Sequence, residues 1–226
     1  MNYTFHFGDV LAHWPTLLQG TVNTIGYSLI GMLAGLLMGI VGAVWRNSPN
    51  GILRAIATSY VELVRNTPML VQLFIFFFAL PTLGLRLNPM QAAILALVFN
   101  NGAYMTEIVR AGIENINRSQ REAAVSLGLT KWQTFRHVIL LQALESIYPA
   151  MISQFVLLML STSLISSIGA DDLTSMGQRI QSLNFRSFEV FIVIGVIYLG
   201  LTVLLQAVAG LVATLIFPRR RALARR

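Results

Sequence analysis

The feature that most limits the fold of this chain is a series of five long stretches with few or no charged residues. A helix needs about 20 residues to cross the hydrocarbon core of a bilayer, and each stretch reaches that length. Hydrophobic residues make up 55% of the sequence and charged residues 11%, whereas soluble domains carry about 25% charged residues. The sequence therefore predicts an all-α integral membrane protein. It is expected to be a single domain over residues 1–226, with five spans at about 17–45, 58–85, 87–112, 143–170 and 188–218.

The basic residues are distributed unequally among the connections between these spans. Twelve Lys and Arg residues follow the first, third and fifth spans, whereas three follow the second and fourth. Positive charge is retained on the cytoplasmic side of membrane proteins. We therefore expect a periplasmic N-terminus, a cytoplasmic C-terminus and a cytoplasmic loop over residues 113–142. The first span is too long for the core of a signal peptide, so we expect it to be retained.

Several classes of function are disfavoured by what the sequence lacks. It has no cysteine, and its histidines show no metal-ligand spacing, so we expect no metal site. It has no GxxxxGK[ST] phosphate-binding loop, so hydrolysis of ATP by that chemistry requires a separate polypeptide. The net charge of +7 follows the membrane topology and is not gathered on one soluble face, so we expect no nucleic-acid partner. We predict no catalytic residue in this chain.

The loop between the third and fourth spans holds a polar segment. Ser119 precedes Glu122 by three residues, and Thr130 precedes Gln133 by the same spacing, which is typical of a capping box at the start of a helix. Gly128 lies between the two pairs, where a helix end favours a residue with positive φ. The pattern predicts two short helices that dock in a groove on another protein. A solvated loop is the alternative.

This segment resembles a known signature. The run EAA at residues 122–124, followed by Gly128 and later by VIL at 138–140, is similar to the EAA motif of ABC importer permeases. The run RNTP at residues 65–68 is similar to the polar amino-acid uptake branch of that family. The resemblance implies the transmembrane-domain fold of a type I ABC importer, in which this cytoplasmic loop forms a coupling helix. The residues that it assigns to coupling with an ATPase are Glu122, Ala123, Ala124, Gly128 and Leu129.

The same resemblance implies partners and a location. ATP and Mg would bind to the ATPase, present in two copies, and this chain would hold no cofactor. A second permease subunit, either a sister chain or another copy of this one, and a periplasmic amino-acid-binding protein complete such importers. They lie in the bacterial inner membrane. The predicted function is ATP-driven uptake of an amino acid by alternating access. The alternatives are an ATP-independent channel or secondary carrier, and a membrane assembly protein.

Polar residues within the predicted spans are candidates for a substrate pathway. Gln154 and Ser161 are seven residues apart and share one helix face. Thr162 follows directly, and Asn100 lies in the third span. The resembled family has Lys-Asp where this chain has Leu160-Ser161, so a carboxylate expected near the substrate is missing. The alternative is ordinary hydrogen bonding between helices.

Two further patterns predict how the spans pack. A stripe of small residues at a spacing of four permits close helix packing, and its members are Gly31, Gly35 and Gly39. Two oppositely charged pairs are three residues apart, so each is expected to form an ion pair on its own helix. These pairs are Glu62 with Arg65 and Glu107 with Arg110.

Overall fold

The computed structural model describes residues 3–217, without the side chains of residues 118, 121 and 131. All the regular elements in the described range are helices, which confirms the predicted fold class. The end of the predicted fifth span at residue 218, and the arginines that follow it, lie outside the described residues. In chain order the helices are α1 Phe7–Leu11, α2 Trp14–Arg46, α3 Gly51–Arg65, α4 Met69–Phe74, α5 Pro89–Glu114, α6 Arg118–Ser126, α7 Lys131–Thr134, α8 Leu140–Ser161, α9 Leu173–Asn184 and α10 Ser187–Ile216.

Several of these helices join into longer helical stretches. Within the described residues, the stretches long and apolar enough to cross a membrane unbroken are Trp14–Arg46, Pro89–Glu114, Trp132–Ile168 and Ser187–Ile216. The third of them contains α8 and two irregular turns. A π-helical turn, Phe135–Ile139, precedes α8, and a 3₁₀ helix, Thr162–Ile168, follows it.

The predicted second span, residues 58–85, is not one straight helix. Helix α3 and the stretch Met69–Leu83 meet at an angle of 108°. Pro68 lies between them with an extended backbone, at φ −61° and ψ 137°. Proline has no backbone N–H to donate and disfavours the helical conformation in the residue before it, so the helix ends here. With this bent pair counted as one span, the described residues contain five candidate spans, which is the number that the sequence predicts.

Helices α2 and α5 approach each other closely along the glycine stripe. A Cβ atom on Gly39 would lie 2.8 Å from the carbonyl carbon of Met105, and one on Gly35 would lie 2.5 Å from Nδ2 of Asn101. Met105 and Asn101 are both fully buried. The Asn101 amide donates to the carbonyl oxygen of Gly31 at 3.1 Å. The packing role predicted for the stripe is confirmed, and its partner helix lies in the same chain.

Helix α9 lies between the last two spans and is fixed at its N-cap, the residue before its first turn. The carboxylate of Asp172 accepts from the backbone N–H of Thr174 at 3.0 Å and of Ser175 at 2.9 Å, an N-cap arrangement. Burial raises the pKa of this carboxyl above its ordinary value, although the hydrogen bonds oppose that shift. The Tyr198 hydroxyl of α10 donates to the same carboxylate at 3.2 Å. The cap therefore also joins α9 to the last span.

Candidate functional site

A partly open cavity of about 500 Å³ lies where the α3–α4 bend meets the middle of α5 and the second half of α8. Three of the four residues predicted for a substrate pathway line it together. The break between α3 and α4 supplies a further polar wall, because its unwound residues face the cavity. The lining residues are Arg65, Asn66, Thr67, Pro68, Met69, Asn100, Tyr104, Gln154, Leu157, Leu158 and Ser161.

The fourth predicted residue, Thr162, does not line this cavity. Its side chain is fully buried, and its hydroxyl donates to the carbonyl oxygen of Met159 at 2.7 Å. The 3₁₀ helix begins at this residue, which changes the direction of the side chains after Ser161. A second cavity, of about 530 Å³, is lined by Asn23, Tyr27 and Asp171 among others and by none of the predicted pathway residues.

Gln154 is a polar residue of α8 whose side chain the fold leaves available to a ligand in this cavity. Its residue exposure is 9%, and within the described part of the chain its amide forms no hydrogen bond. Removal of an amide from water without a partner is unfavourable. The donor and acceptor of this side chain are therefore available to whatever occupies the cavity. The predicted sharing of one helix face by Gln154 and Ser161 is confirmed, since both line the same wall.

Asn100 is held in place by the bend between α3 and α4. Its amide nitrogen donates to Oε1 of Gln72 at 3.1 Å. The amide nitrogen of Gln72 in turn donates to the carbonyl oxygens of Val64 at 2.8 Å and Thr67 at 3.1 Å. Both acceptors are backbone groups at or beyond the end of α3 that the bend leaves without a helical partner. The sequence alternative of hydrogen bonding between helices thus holds for the nitrogen of Asn100, while the residue also lines the cavity.

The charged residues near the cavity pair differently from the prediction. Arg65 lies 3.8 Å from the Glu107 carboxylate on α5, and Glu62 lies 3.9 Å from Arg46 on α2. The predicted pair of Glu62 with Arg65 is therefore wrong, because each residue faces a different neighbouring helix. The predicted pair of Glu107 with Arg110 is confirmed at 3.0 Å.

Glu107 is the centre of this charged cluster. It accepts from Arg46 on α2 and from Arg110 on its own helix. With Arg65 of α3 at 3.8 Å, three helices meet at one carboxylate. The sequence analysis missed Arg65 and Tyr104 as cavity residues. The signal that was available is Pro68, since a break directly after Arg65 frees the end of α3 to turn toward α5.

The connecting segment, residues 113–142, begins with a helix start that differs from the prediction. Asn117, not Ser119, is the N-cap of α6, and its side-chain oxygen accepts from the Ser119 backbone N–H at 3.0 Å. Asparagine is a strong N-cap residue and comes earlier in the chain, so the helix begins before the predicted box. The second predicted box is confirmed. The Thr130 N–H donates to Gln133 at 2.9 Å, and the Gln133 N–H donates back to Thr130 Oγ1 at 3.3 Å.

Gly128 ends α6 in the conformation that the sequence predicts. Its φ is +74°, and its N–H donates to the carbonyl oxygen of Val125 at 2.9 Å. The next residue, Leu129, donates from its N–H to the carbonyl oxygen of Ala124 at 3.1 Å. This is the left-handed helix end that glycine accommodates without a steric penalty. It sets the angle between α6 and α7.

The side chains of the connecting segment divide into one buried anchor and several exposed groups. Ala124 is 3% exposed, whereas Glu122 and Ala123 are exposed and Leu129 is half-buried. Three large apolar side chains of the segment are also left open to the surroundings, and these are Val125, Leu127 and Trp132. An exposed apolar surface of this kind is typical of a protein–protein contact.

The family model described as "Binding-protein-dependent transport system inner membrane component" matches residues 14–220. The chain is 36% identical over 203 residues to the glutamine transport system permease protein GlnP of Escherichia coli strain K12, over 88% of this chain and 93% of that protein. It is 35% identical over 186 residues to the probable glutamine ABC transporter permease protein GlnM of Bacillus subtilis, over 82% and 86%.

Solved structures agree with this family. A crystal structure of an amino acid ABC transporter with histidines superposes with a TM-score of 0.87 at 34% identity, over 92% of this chain and 98% of that one. The MetNI methionine ABC transporter, described in an inward-facing conformation, shares the fold with a TM-score of 0.75 at 21% identity. The resemblance inferred from the sequence motifs is confirmed. This chain belongs to the family of inner membrane components of binding-protein-dependent transport systems.

Proposed function

We propose that this chain is the permease subunit of an ATP-driven importer and that it carries a polar amino acid of the glutamine type. The observation that supports this most directly is the polar cavity beside the α3–α4 bend. It brings Asn100, Gln154 and Ser161 together at the middle of the helical bundle, with the amide of Gln154 left for a ligand. Ligand sites usually combine an apolar wall with a few convergent polar groups. The names of the two relatives, both glutamine permeases, supply the substrate class.

In this proposal the connecting segment is the part of the chain that binds the ATPase and moves when ATP is bound and hydrolysed. Glu122, Ala123, Ala124, Gly128 and Leu129 form the surface that docks on a separate ATPase. The buried Ala124 holds α6 against the rest of the chain, while the exposed Leu127 and Trp132 offer apolar area to the partner. Two copies of the ATPase bind ATP and Mg, and this chain holds no cofactor.

The remaining parts of the mechanism follow from the same assignment. A second permease subunit, either a sister chain or another copy, completes the pathway, and a periplasmic amino-acid-binding protein delivers the substrate. The N-terminus faces the periplasm and the C-terminus the cytoplasm, as the basic residues predict. Closure of the ATPase subunits on ATP moves the connecting segment. The segment continues into α8 through the π-helical turn Phe135–Ile139. Motion of the segment is therefore transmitted to α8, which forms a wall of the cavity.

The experiment is uptake of labelled L-glutamine into proteoliposomes that contain the chain, its ATPase partner and any second permease subunit. The binding protein is supplied outside and ATP inside. We expect uptake that requires ATP, the ATPase and the binding protein together. The matched control uses an ATPase variant that binds ATP without hydrolysing it, for which we expect no accumulation.

The same assay separates the alternatives. Uptake by the chain alone, without ATP, would identify a channel. Uptake that follows an imposed ion gradient would identify a secondary carrier. A complex that forms but moves no solute under any of these conditions would favour an assembly protein.

A further inference from the structure

The wall of the cavity carries one charged side chain within the described residues, and it is Arg65. All the other lining residues are uncharged, including the amides Asn100 and Gln154 and the hydroxyls of Tyr104 and Ser161. A ligand in this cavity therefore meets a fixed positive charge and no carboxylate in the lining. The arrangement favours a ligand that has a carboxylate and a polar side chain without charge.

The guanidinium of Arg65 lies near a carboxylate, but its N–H groups remain available as hydrogen-bond donors. It lies 3.8 Å from the Glu107 carboxylate, which is beyond a hydrogen bond, and it makes no hydrogen bond within the described part of the chain. Glu107 is already hydrogen-bonded by Arg46 and Arg110. Of the three arginines around this carboxylate, Arg65 has the most exposed side chain, at 41% against 16% and 29%.

Tyr104 gives this guanidinium a defined orientation. The ring of Tyr104 lies 5.4 Å from the central carbon of Arg65, and both residues line the cavity. A guanidinium over an aromatic ring is attracted to the ring face and keeps its N–H groups pointing outward in its own plane. A planar fork held this way suits two parallel hydrogen bonds to a carboxylate.

The two amides complete the chemistry of the site. Asn100 uses its nitrogen to bond Gln72, and within the described residues its side-chain oxygen has no donor. Gln154, nine-tenths buried, has both its donor and its acceptor free among the described residues. Neutral donors and acceptors match a carboxamide or a hydroxyl. A cationic side chain would face Arg65 without a compensating carboxylate, which is unfavourable in a cavity of low dielectric.

We infer that Arg65 binds the carboxylate of the transported amino acid, and that Asn100 and Gln154 bind its uncharged polar groups. This inference rests on the proposed function and adds the residue that selects the charge of the substrate. Binding moves Arg65 away from the Glu107 cluster, so the substrate takes the place of a loose ion pair between α3 and α5. The carboxylate that the resembled family has near Ser161 is then unnecessary, because the substrate has no cationic side chain.

The test is equilibrium binding of labelled L-glutamine to the purified permease–ATPase complex without the binding protein. A decarboxylated analogue, 4-aminobutanamide, competes in parallel. For the unmodified complex we expect much weaker binding of the analogue. In Arg65→Gln we expect the affinity for L-glutamine to fall by about 10- to 100-fold, the range for a charge-assisted hydrogen bond. The affinity for the analogue is expected to stay the same or to rise, because the analogue has no carboxylate and carries a positive charge that Arg65 repels. Arg65→Lys keeps the charge without the fork and should give an intermediate loss.

Arg110→Gln is the matched control, because Arg110 bonds the same Glu107 carboxylate at 3.0 Å but does not line the cavity. We expect it to lower thermal stability without changing the preference for L-glutamine over the analogue. Arg65→Gln with undiminished L-glutamine affinity would overturn the inference. So would equal losses for both ligands in the two Gln variants, since that indicates a structural role. An unmodified complex that imports L-glutamine yet shows no saturable binding would overturn it as well. The proposed function fails separately, if the unmodified complex imports no L-glutamine with ATP and the binding protein present.

Discussion

The α2–α5 interface buries its apolar side chains, whereas the connecting segment exposes several of them. In the interface, Leu97 and Met105 are fully buried against a glycine stripe that lets the two backbones approach. In the connecting segment, Leu127 is 80% exposed and Val125 is 69% exposed. The interface is fully packed within this chain, whereas the connecting segment leaves apolar side chains exposed, as the proposed contact with a second protein requires.

The difference shows where the free energy of each region is used. Burial of a large apolar side chain is worth about 1.5–3 kcal/mol, and in the interface that amount stabilises the fold itself. In the connecting segment the same amount is still available for binding, so substitutions there should affect association more than folding. The following predictions test that division, from the largest expected effect to the smallest.

The first prediction concerns the α2–α5 interface. In Gly39→Ala the new methyl group would lie 2.8 Å from the carbonyl carbon of Met105, and backbone atoms cannot move aside as a flexible side chain can. We expect the free energy of unfolding in detergent to fall by about 3 kcal/mol, at the upper end for an overpacked core. Denaturant-induced unfolding followed by helix content measures it.

Gly195→Ala is the control for that substitution. It lies in the interior of α10, and a Cβ atom at Gly195 would meet nothing within 4 Å. Its stability should be unchanged or slightly raised, since alanine is the better helix former. Equal losses in both variants would show that helical glycine itself matters and that the close approach of α2 to α5 does not.

The second prediction concerns the left-handed end of α6. A Cβ atom at Gly128 meets no neighbour within 4 Å, so a substitution there acts through its φ of +74° alone. A branched residue in that conformation costs about 1–2 kcal/mol. In Gly128→Val we therefore expect hydrogen exchange of the connecting segment to speed up by about tenfold, while α2 and α5 exchange as before. The uptake assay should show lower import per ATP hydrolysed.

Gly128→Asn is the matched variant, because asparagine adopts the left-handed conformation more readily than other residues with a Cβ. It should retain most of the coupling. The division between the two regions would not hold if Gly128→Val accelerated exchange in the α2–α5 interface to the same degree, since the segment would then be part of one cooperative unit with the interface.

The sequence predicted the features that depend on local spacing. Apolar length predicted the spans, the spacing of Gly35 and Gly39 predicted close packing, and the pair Thr130 and Gln133 predicted a helix start. Each of these patterns acts within one turn or along one face of a helix. The resemblance to the EAA motif extended the prediction to a family, which the comparisons confirm.

The features that were missed depend on neighbouring helices. The pairing of Arg65 with Glu107 joins residues on α3 and α5, and no spacing within α3 reveals it. The 108° bend at Pro68 places Arg65 beside Asn100 and Gln154. If the span were straight, Arg65 would be interpreted as a residue at the membrane–water interface. Of the candidate site, spacing could therefore predict the wall formed by α8 but not its charged residue.

The smallest effect compares two buried threonines, one from each region. Thr134 in the connecting segment is 7% exposed, and within the described residues its hydroxyl has no hydrogen-bond partner. The hydroxyl of Thr106 in the interface is fully buried and donates to the carbonyl oxygen of Gly102 at 2.8 Å. Replacement by valine removes an unpartnered polar group in the first case and a satisfied one in the second. We expect Thr134→Val to raise the free energy of unfolding by up to about 1 kcal/mol and Thr106→Val to lower it by about the same amount.

The sign of these two shifts is more informative than their size. Both substitutions keep a β-branched side chain of nearly the same shape in a helix, so propensity and volume cancel in the comparison. Unfolding of both variants under one set of conditions measures the difference. If both lose stability equally, the Thr134 hydroxyl is bonded in solution, and the connecting segment is then as fully packed within this chain as the α2–α5 interface. If the signs are opposite, the segment keeps an unsatisfied polar group next to exposed apolar side chains, as expected for a surface that is completed only when the proposed ATPase partner binds.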